Sequence, residues 1–114
     1  MSRGVEKNVK VDYRKLYGDS ELLDTFLNKS AGEVLKEVRK ERKLSLAEVE
    51  SRTEMFSKQT LSKYELGKSK LRMNMFFELA RIYNMNPKDL YDKINMRYIS
   101  KLSHYTEEIM KKNS

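Results

Sequence analysis

The chain has 114 residues, of which 39% are hydrophobic and 36% charged, and its formal net charge is +7. We expect one core of ordinary size at this length, with no separate catalytic domain. The absence of cysteine rules out a disulfide framework, a thiolate zinc site and a cysteine nucleophile. No apolar run is long enough for a membrane span or a secretory signal, so we expect a cytoplasmic protein.

The basic residues are concentrated in one short stretch. The chain carries 24 Lys and Arg against 17 Asp and Glu. Residues 57–72 contain five of the basic residues and a single acidic residue, Glu65. Such an excess favours a polyanionic partner, either nucleic acid or an anionic membrane surface. We therefore expect the anion to bind around residues 57–72.

The pattern of the chain predicts an all-helical fold. There are one proline and four glycines, and most apolar residues lie three or four positions apart, as on one face of a helix. Near the N terminus, Val9, Val11 and Tyr13 alternate as in an extended arm. The apolar residues in the segment 22–27 predict an amphipathic helix after Gly18. Together these segments form a predicted N-terminal region, residues 1–29.

Capping signals then mark the starts of three closely spaced helices. Ser30 and Ser45 are each followed three residues later by glutamate, which is the pattern of a capping box. The first of these helices is expected to end near residue 43 and the second near residue 53. Ser57 is expected to cap the third helix, and Gly67 to end it in a left-handed conformation.

Two further domain helices and a C-terminal helix are predicted after a basic loop. Asn74 is the candidate cap of the fourth helix, and Asn86 with Pro87 gives the fifth a cap residue and a proline at its first position. The helical domain is thus predicted over residues 30–94. Residues 95–114 form a further amphipathic helix, whose apolar stripe is Tyr98, Leu102, Tyr105 and Ile109.

The third helix has a core face and a polar face. At about 100° per residue, Leu61 and Tyr64 lie on one side and the polar residues on the other. Lysine can donate to guanine, glutamine can bond adenine in two places, and serine can do either. A surface helix that only meets solvent has the same kind of polar face, so this face alone does not indicate DNA binding. DNA binding is favoured because two short capped helices are joined here by a tight turn. We predict base contacts from Lys58, Gln59, Ser62 and Lys63.

A helix in the major groove needs flanking groups that hold phosphates, because phosphate contacts fix its register. The basic loop after the third helix is in position for this, and the capped helix starts can add backbone contacts. We predict phosphate contacts from Ser45, Ser57, Lys68, Lys70 and Arg72.

The stretch 35–90 resembles the phage-repressor and Cro-type helix-turn-helix family, also called the xenobiotic-response-element (XRE) family. The segments that carry the resemblance are LKEVRKERKLSLAEVESRT, SKQTLSKYELGK and ELARIYNMNPKDL. It implies a lambda-repressor-like five-helix bundle, here with helical extensions at both ends, whose third helix enters the major groove. It also implies a transcription regulator, acting as a repressor, that binds a palindromic operator in double-stranded DNA as a homodimer.

Two features depart from the family pattern. The turn RTEMFSK before the third helix is one residue longer than usual, with Glu54 or Met55 where glycine is common. Glu50 occupies a position where a small alanine is usual, although relatives of the Ser-Leu-x-Glu-Val-Glu type also carry an acid there. Both departures lie next to the third helix and bear on its orientation.

An enzyme would need a reactive group of side chains, and the sequence suggests none. His104 is the sole histidine and is expected on the surface of the C-terminal helix. No spacing of Ser, Thr, Asp or Glu suggests a dyad or a metal site. We therefore expect no catalysis, no metal and no cofactor. For the apolar residues Met73, Met75, Phe76 and Phe77, core packing is the expected role and an adaptable binding groove the alternative.

A protein partner is the main alternative to DNA. The chain would then be an antitoxin or adaptor of the same fold, acting through the apolar surfaces of residues 22–27 and 98–109. The stripe from Tyr98 to Ile109 would form either a dimer seam or a contact with its own domain. Membrane-surface binding is less favoured, because the basic residues cluster around a turn and not along an amphipathic face.

Overall fold

The computed structural model describes residues 20–113, and this part of the chain contains helices and no β-strand. The predicted all-helical class is therefore confirmed. The extended arm predicted near residues 9–13 lies outside the described residues. The helices are α1 (Ser20–Glu41), α2 (Leu46–Glu50), α3 (Lys58–Glu65), α4 (Met73–Ile82) and α5 (Pro87–Asn113).

α1 is one continuous helix where the sequence predicts two. Ser30, the predicted cap, lies in its middle, and its hydroxyl donates to the carbonyl oxygen of Phe26 at 2.7 Å. A serine bonded four residues back is compatible with a continuing helix. Residues 20–29 also contain no glycine or proline that would interrupt it. The prediction of a helix start at Ser30 is therefore wrong.

α5 likewise unites two predicted helices. It begins as expected, with Pro87 as its first residue and the side-chain oxygen of Asn86 accepting from the Lys88 N–H at 2.8 Å. No glycine or proline follows Pro87 in the sequence. The helix therefore runs without a break through residues 94 and 95, where we predicted the end of the domain.

α5 packs along α1 by aromatic and ionic contacts. The rings of Phe26 and Tyr105 meet edge to face with their centroids 5.3 Å apart. Arg97 donates to Glu33 at 3.0 Å and to Glu37 at 2.7 Å, and Lys101 donates to Glu33 at 3.0 Å. These contacts hold the later turns of α5 against the first helix.

α4 begins at Met73, one residue before its predicted cap, Asn74. Its N-cap is Arg72, which makes no side-chain capping bond. Met75 and the adjacent Phe76 are buried as expected, whereas Met73 is 66% and Phe77 51% exposed. Met73 and Phe77 are four residues apart and share the outer face of the helix, so the prediction of a core role is wrong for these two.

The core gathers side chains from all five helices and brings α1 close to α3. At Gly32 in α1, an added Cβ would overlap the carbonyl oxygens of Tyr64 and Glu65 at the end of α3. Backbone therefore packs on backbone at this crossing. The large apolar side chains with the least exposure are Val34, Leu35, Val38, Val49, Leu61, Leu79, Tyr83 and Leu90.

Candidate nucleic-acid interface

α2 begins with the predicted capping box. The Ser45 hydroxyl oxygen accepts from the Glu48 N–H at 3.0 Å, and the Glu48 carboxylate accepts from the Ser45 N–H at 2.9 Å. The backbone bond with Ser45 lowers the pKa of Glu48. Val49, one residue further on, is fully buried. The short helix is thus fixed at its start by a local pair and near its end by the core.

α3 has the two faces that the sequence predicts. Ser57 caps it, with its hydroxyl oxygen accepting from the Thr60 N–H at 3.2 Å. Leu61 and Tyr64 are buried in the core. On the opposite side Ser62 is half-buried, and the other three candidates for base contact are exposed: Lys58, Gln59 and Lys63. The structure thus brings all four together on one surface, and their contact with bases stays a prediction.

The loop after α3 turns at Gly67, as predicted. Gly67 has a φ of 73°, a left-handed conformation in which glycine carries no Cβ penalty. The N–H of Lys68 then returns to the carbonyl oxygen of Lys63 at 2.9 Å. Lys68, Lys70 and Arg72 are exposed in the loop before α4. The Lys68 backbone thus lies at the C-terminal end of α3, and Lys70 and Arg72 follow it in the same loop.

Ser45 and Ser57 sit at the N-terminal ends of α2 and α3, and each uses its hydroxyl oxygen as a cap acceptor. The Ser45 N–H is already bonded to Glu48 and the Lys58 N–H to Glu50, so an anion at these helix starts would be met by the remaining first-turn N–H groups and the serine hydroxyls. The phosphate contacts of both serines, like those of the loop cations, stay predictions.

A buried ion pair anchors α3 to α1. The Arg39 guanidinium donates Nε to Glu65 Oε2 at 2.7 Å and Nη2 to Oε1 at 2.9 Å, and it also donates to the carbonyl oxygen of Leu44 at 2.9 Å. The bond with Glu65 raises the pKa of Arg39. The sequence signal for this pair is that Glu65 is the lone acid among the basic residues 57–72.

Glu50, the second departure from the family pattern, holds the start of α3. Its Oε2 accepts from the backbone N–H of Lys58 at 2.9 Å. Glu50 is the last residue of α2 and Lys58 the first of α3, so a single side chain joins the two helices across the longer turn. The sequence marks the residue as unusual without revealing its partner.

The turn itself is held by α4. Glu78 accepts from Thr53 Oγ1 at 2.6 Å and from Arg81 Nε at 2.8 Å, and Arg81 Nη2 donates to the carbonyl oxygen of Arg52 at 3.0 Å. The bond from Arg81, followed by that from Thr53, lowers the pKa of Glu78 to about 2. The spacing of Glu78 and Arg81 suggests a local pair, but nothing in the sequence connects them to Thr53.

One further lysine lies beside the basic loop. A Cβ on Gly67 would come within 2.9 Å of Lys29 Cγ and 3.0 Å of Lys29 Cα. Lys29 is exposed on α1 and precedes the predicted domain, so the sequence alone indicates no role for it. The close approach at Gly67 brings the backbone and the stem of Lys29 next to the residue that precedes Lys68.

The stripe predicted as a dimer seam is half-buried. Tyr98, Leu102, Tyr105 and Ile109 all have intermediate exposure, and Tyr105 packs on Phe26 of α1. Contact within the same chain, the alternative left open by the sequence, thus occurs at Tyr105. The more exposed large hydrophobic side chains of α5 lie elsewhere on the helix: Tyr91 (58%), Met96 (71%), Ile99 (53%) and Met110 (43%).

Other kinds of site have little support in the described part of the chain. Residues 20–113 hold no group of three or more His, Cys, Asp and Glu side chains suited to a metal ion. His104 is exposed on α5. None of the five helices combines the length and the apolar character that crossing a bilayer requires.

A comparison with known families finds a match over most of this surface. A family model described as a helix-turn-helix domain matches residues 32–96, which is more than half of the chain. No curated protein and no solved structure gives a significant match. The matched residues include every predicted base and phosphate contact. Lys29 and the later turns of α5 lie outside them.

Proposed function

Because the chain belongs to the helix-turn-helix domain family of the XRE type, we propose that it regulates transcription by binding DNA sequence-specifically and is not an enzyme. The observation that carries this proposal is the exposed donor face of α3, formed by Lys58, Gln59, Ser62 and Lys63, opposite a buried face. A helix fixed in this way can present donors to base edges in the major groove.

In this function the residues around α3 have distinct tasks. The α3 face reads bases, while Lys68, Lys70 and Arg72 neutralise phosphates and fix the register of the helix on the duplex. Occupying DNA is enough to block transcription, so repression needs no surface beyond this one. We therefore propose a repressor.

Selection from a random pool of duplexes tests the proposal. We expect one enriched sequence. On it, Gln59→Ala should cost about 1–3 kcal/mol and relax one base position. Lys70→Ala should instead weaken binding to all sequences alike and reduce the salt slope by about one. A pool without enrichment, or equal losses for Gln59→Ala on selected and random DNA, would contradict sequence-specific binding.

We further propose that the operator is palindromic and the protein a homodimer. Two copies of α3 would then enter successive major grooves about 34 Å apart. Support comes from the exposed apolar side chains of α5, above all Met96 and Ile99. Footprinting should give two half-sites and sedimentation a dimer. Deleting residues 100–114 should make the protein monomeric if the seam lies at Tyr98, Leu102, Tyr105 and Ile109, and an unchanged dimer would place the seam elsewhere.

The second candidate is an antitoxin or adaptor that acts mainly by binding a partner protein. The same exposed residues, Met96, Ile99 and Met110, favour it. Two results together would establish this candidate in place of the regulator. A partner protein would co-purify with the wild-type chain and be lost in the double variant Met96→Ser, Ile99→Ser, and DNA selection would yield no consensus.

A further inference from the structure

The turn between α2 and α3 is longer than its family pattern and contains no glycine, yet polar bonds hold it at both ends. Residues 51–57 connect the helices. Two carboxylates accept hydrogen bonds from this segment and from the residue that follows it: Glu78 in α4 and Glu50 at the end of α2. Both act on the segment that leads into the predicted base-reading face.

Glu50 acts on the first backbone amide of α3. The first N–H groups of a helix have no partner within the helix, and the positive end of its dipole favours an anion there. Ser57 satisfies the N–H of Thr60, and Glu50 satisfies that of Lys58 at 2.9 Å. The bond spans eight residues and links the two helices directly. It therefore restrains the direction in which α3 leaves the turn.

Glu78 acts on the middle of the turn. It accepts from the Thr53 hydroxyl at 2.6 Å, and the Met55 N–H donates to the same hydroxyl at 3.0 Å. Arg81 holds the Glu78 carboxylate and also the carbonyl oxygen of Arg52. The extra length of the turn is thus fastened to α4.

We propose that Glu50 and Glu78 are positioning residues that set the orientation of the α3 face on DNA, an inference that rests on the proposed DNA-binding function. Glu50 is the more direct of the two, because it bonds to the residue that begins the face. Its negative charge beside Lys58 repels phosphate, so it weakens binding to DNA in general. Its benefit is selectivity, since a fixed helix distinguishes bases that a mobile one does not.

Glu50 should weaken binding to all DNA but increase selectivity, so an experiment can separate the two effects. Glu54 is the matched control. Glu54 is an exposed acid in the same turn, and its side chain makes no hydrogen bond or ion pair within the described residues. Affinities of wild type, Glu50→Ala, Glu50→Gln and Glu54→Ala are measured on the selected duplex and on a random duplex at several salt concentrations. The ratio of the two affinities reports selectivity.

For Glu54→Ala both affinities should rise together by about twofold, because one repulsive charge is lost, and the ratio should stay constant. For Glu50→Ala the random duplex should bind about twofold more tightly while the ratio falls by about tenfold, the effect of one lost charge-assisted hydrogen bond. Glu50→Gln should restore most of the ratio, because its amide oxygen can still accept the Lys58 N–H. Glu78→Gln should lower the ratio less than Glu50→Ala.

Amide exchange gives a reading without DNA. In Glu50→Ala the Lys58 N–H should exchange faster while the Leu61 and Leu35 amides stay protected, which shows that the domain is folded. The positioning role would be overturned if the wild type is selective and Glu50→Ala has the same affinity ratio, selected over random duplex, as Glu54→Ala. This holds even if Glu50→Ala unfolds at a lower temperature. A wild type without selectivity, combined with faster Lys58 exchange in Glu50→Ala, would instead overturn the proposed function.

Discussion

The α2–α3 region and the α1–α5 pair are held by different kinds of contact. α2 and α3 have five and eight residues, too few to form stable helices alone, and they depend on caps, a buried ion pair and bonds from Glu50 and Glu78. α1 and α5 have 22 and 27 residues and meet through an aromatic contact and more exposed ion pairs. Short helices held by individual bonds are fixed in direction, whereas long helices tolerate the loss of any one contact.

The largest effect is expected from breaking the buried pair. Arg39→Met leaves Glu65 charged and unpartnered, with only 5% of its side chain exposed, and should cost about 3–5 kcal/mol in urea unfolding. Arg97→Met removes the corresponding pair between α1 and α5, where Arg97 is 32% and Glu37 53% exposed. It should cost less than about 1 kcal/mol. Equal losses would remove the distinction between the two regions.

A double variant sharpens that result. Adding Glu65→Leu to Arg39→Met removes the unpaired charge, so most of the lost stability should return. If the double variant is as unstable as Arg39→Met alone, the loss arises from packing and not from the buried charge.

The next largest effect is expected at Gly32. Replacing glycine by alanine in a helix interior usually raises the free energy of unfolding by about 1 kcal/mol. Here the added Cβ would overlap the carbonyl oxygens of Tyr64 and Glu65, so Gly32→Ala should lose about 1–3 kcal/mol, as overpacking does. Lys36→Ala, on the exposed side of the same helix, serves as control and should change stability by less than about 0.5 kcal/mol. A stabilised Gly32→Ala would contradict the close crossing of α1 and α3.

A smaller and pH-dependent effect is expected at Glu78. Its pKa of about 2 in the folded protein lies below the value of about 4.3 for an unperturbed glutamate. The carboxylate therefore stabilises the fold above about pH 4.5, and this contribution is lost as the pH falls towards 2. At pH 7, Glu78→Gln should be less stable than wild type by about 1–2 kcal/mol. Urea unfolding at several pH values should show the difference closing in acid, and a constant difference would argue against the charged network.

The smallest effect concerns Lys29, which should matter for DNA and not for folding. Its position beside Gly67 and the basic loop suggests one additional phosphate contact from outside the matched domain. Lys29→Gln should reduce the salt slope of DNA binding by about one and leave the unfolding curve unchanged. Lys112→Gln, near the far end of α5, controls for net charge. Equal slopes for both variants would confine the DNA surface to the matched residues.

Local patterns predicted most of the fold and the two faces of α3. The capping box at Ser45, the cap at Ser57 and the turn at Gly67 depend on neighbours within a few residues, so the sequence reveals them. The same reasoning failed at Ser30, because a serine hydroxyl can also bond backwards inside a helix, as this one does to Phe26. It also predicted two helices on either side of residue 95, where no residue ends α5. The domain boundary at that position stays a prediction.

The contacts that orient α3 could not be predicted, since their partners are distant in sequence. Thr53 and Glu78 are 25 residues apart, and Arg39 and Glu65 are 26 apart. Glu50 was noticed only as a departure from a family pattern. A charged residue in place of a small one indicates a special role, but only the fold identifies the amide that it meets.

The four side chains of the α3 face have a further property in common. Within residues 20–113, no side-chain hydrogen bond or ion pair is formed by Lys58, Gln59, Ser62 or Lys63. The bonds that orient α3 are made by other residues. We therefore expect substitutions at the three exposed positions, Lys58, Gln59 and Lys63, to change the stability of the fold by less than about 0.5 kcal/mol. We expect that the preferred DNA sequence can be exchanged by altering these four residues alone, which makes the domain a natural starting point for new specificities.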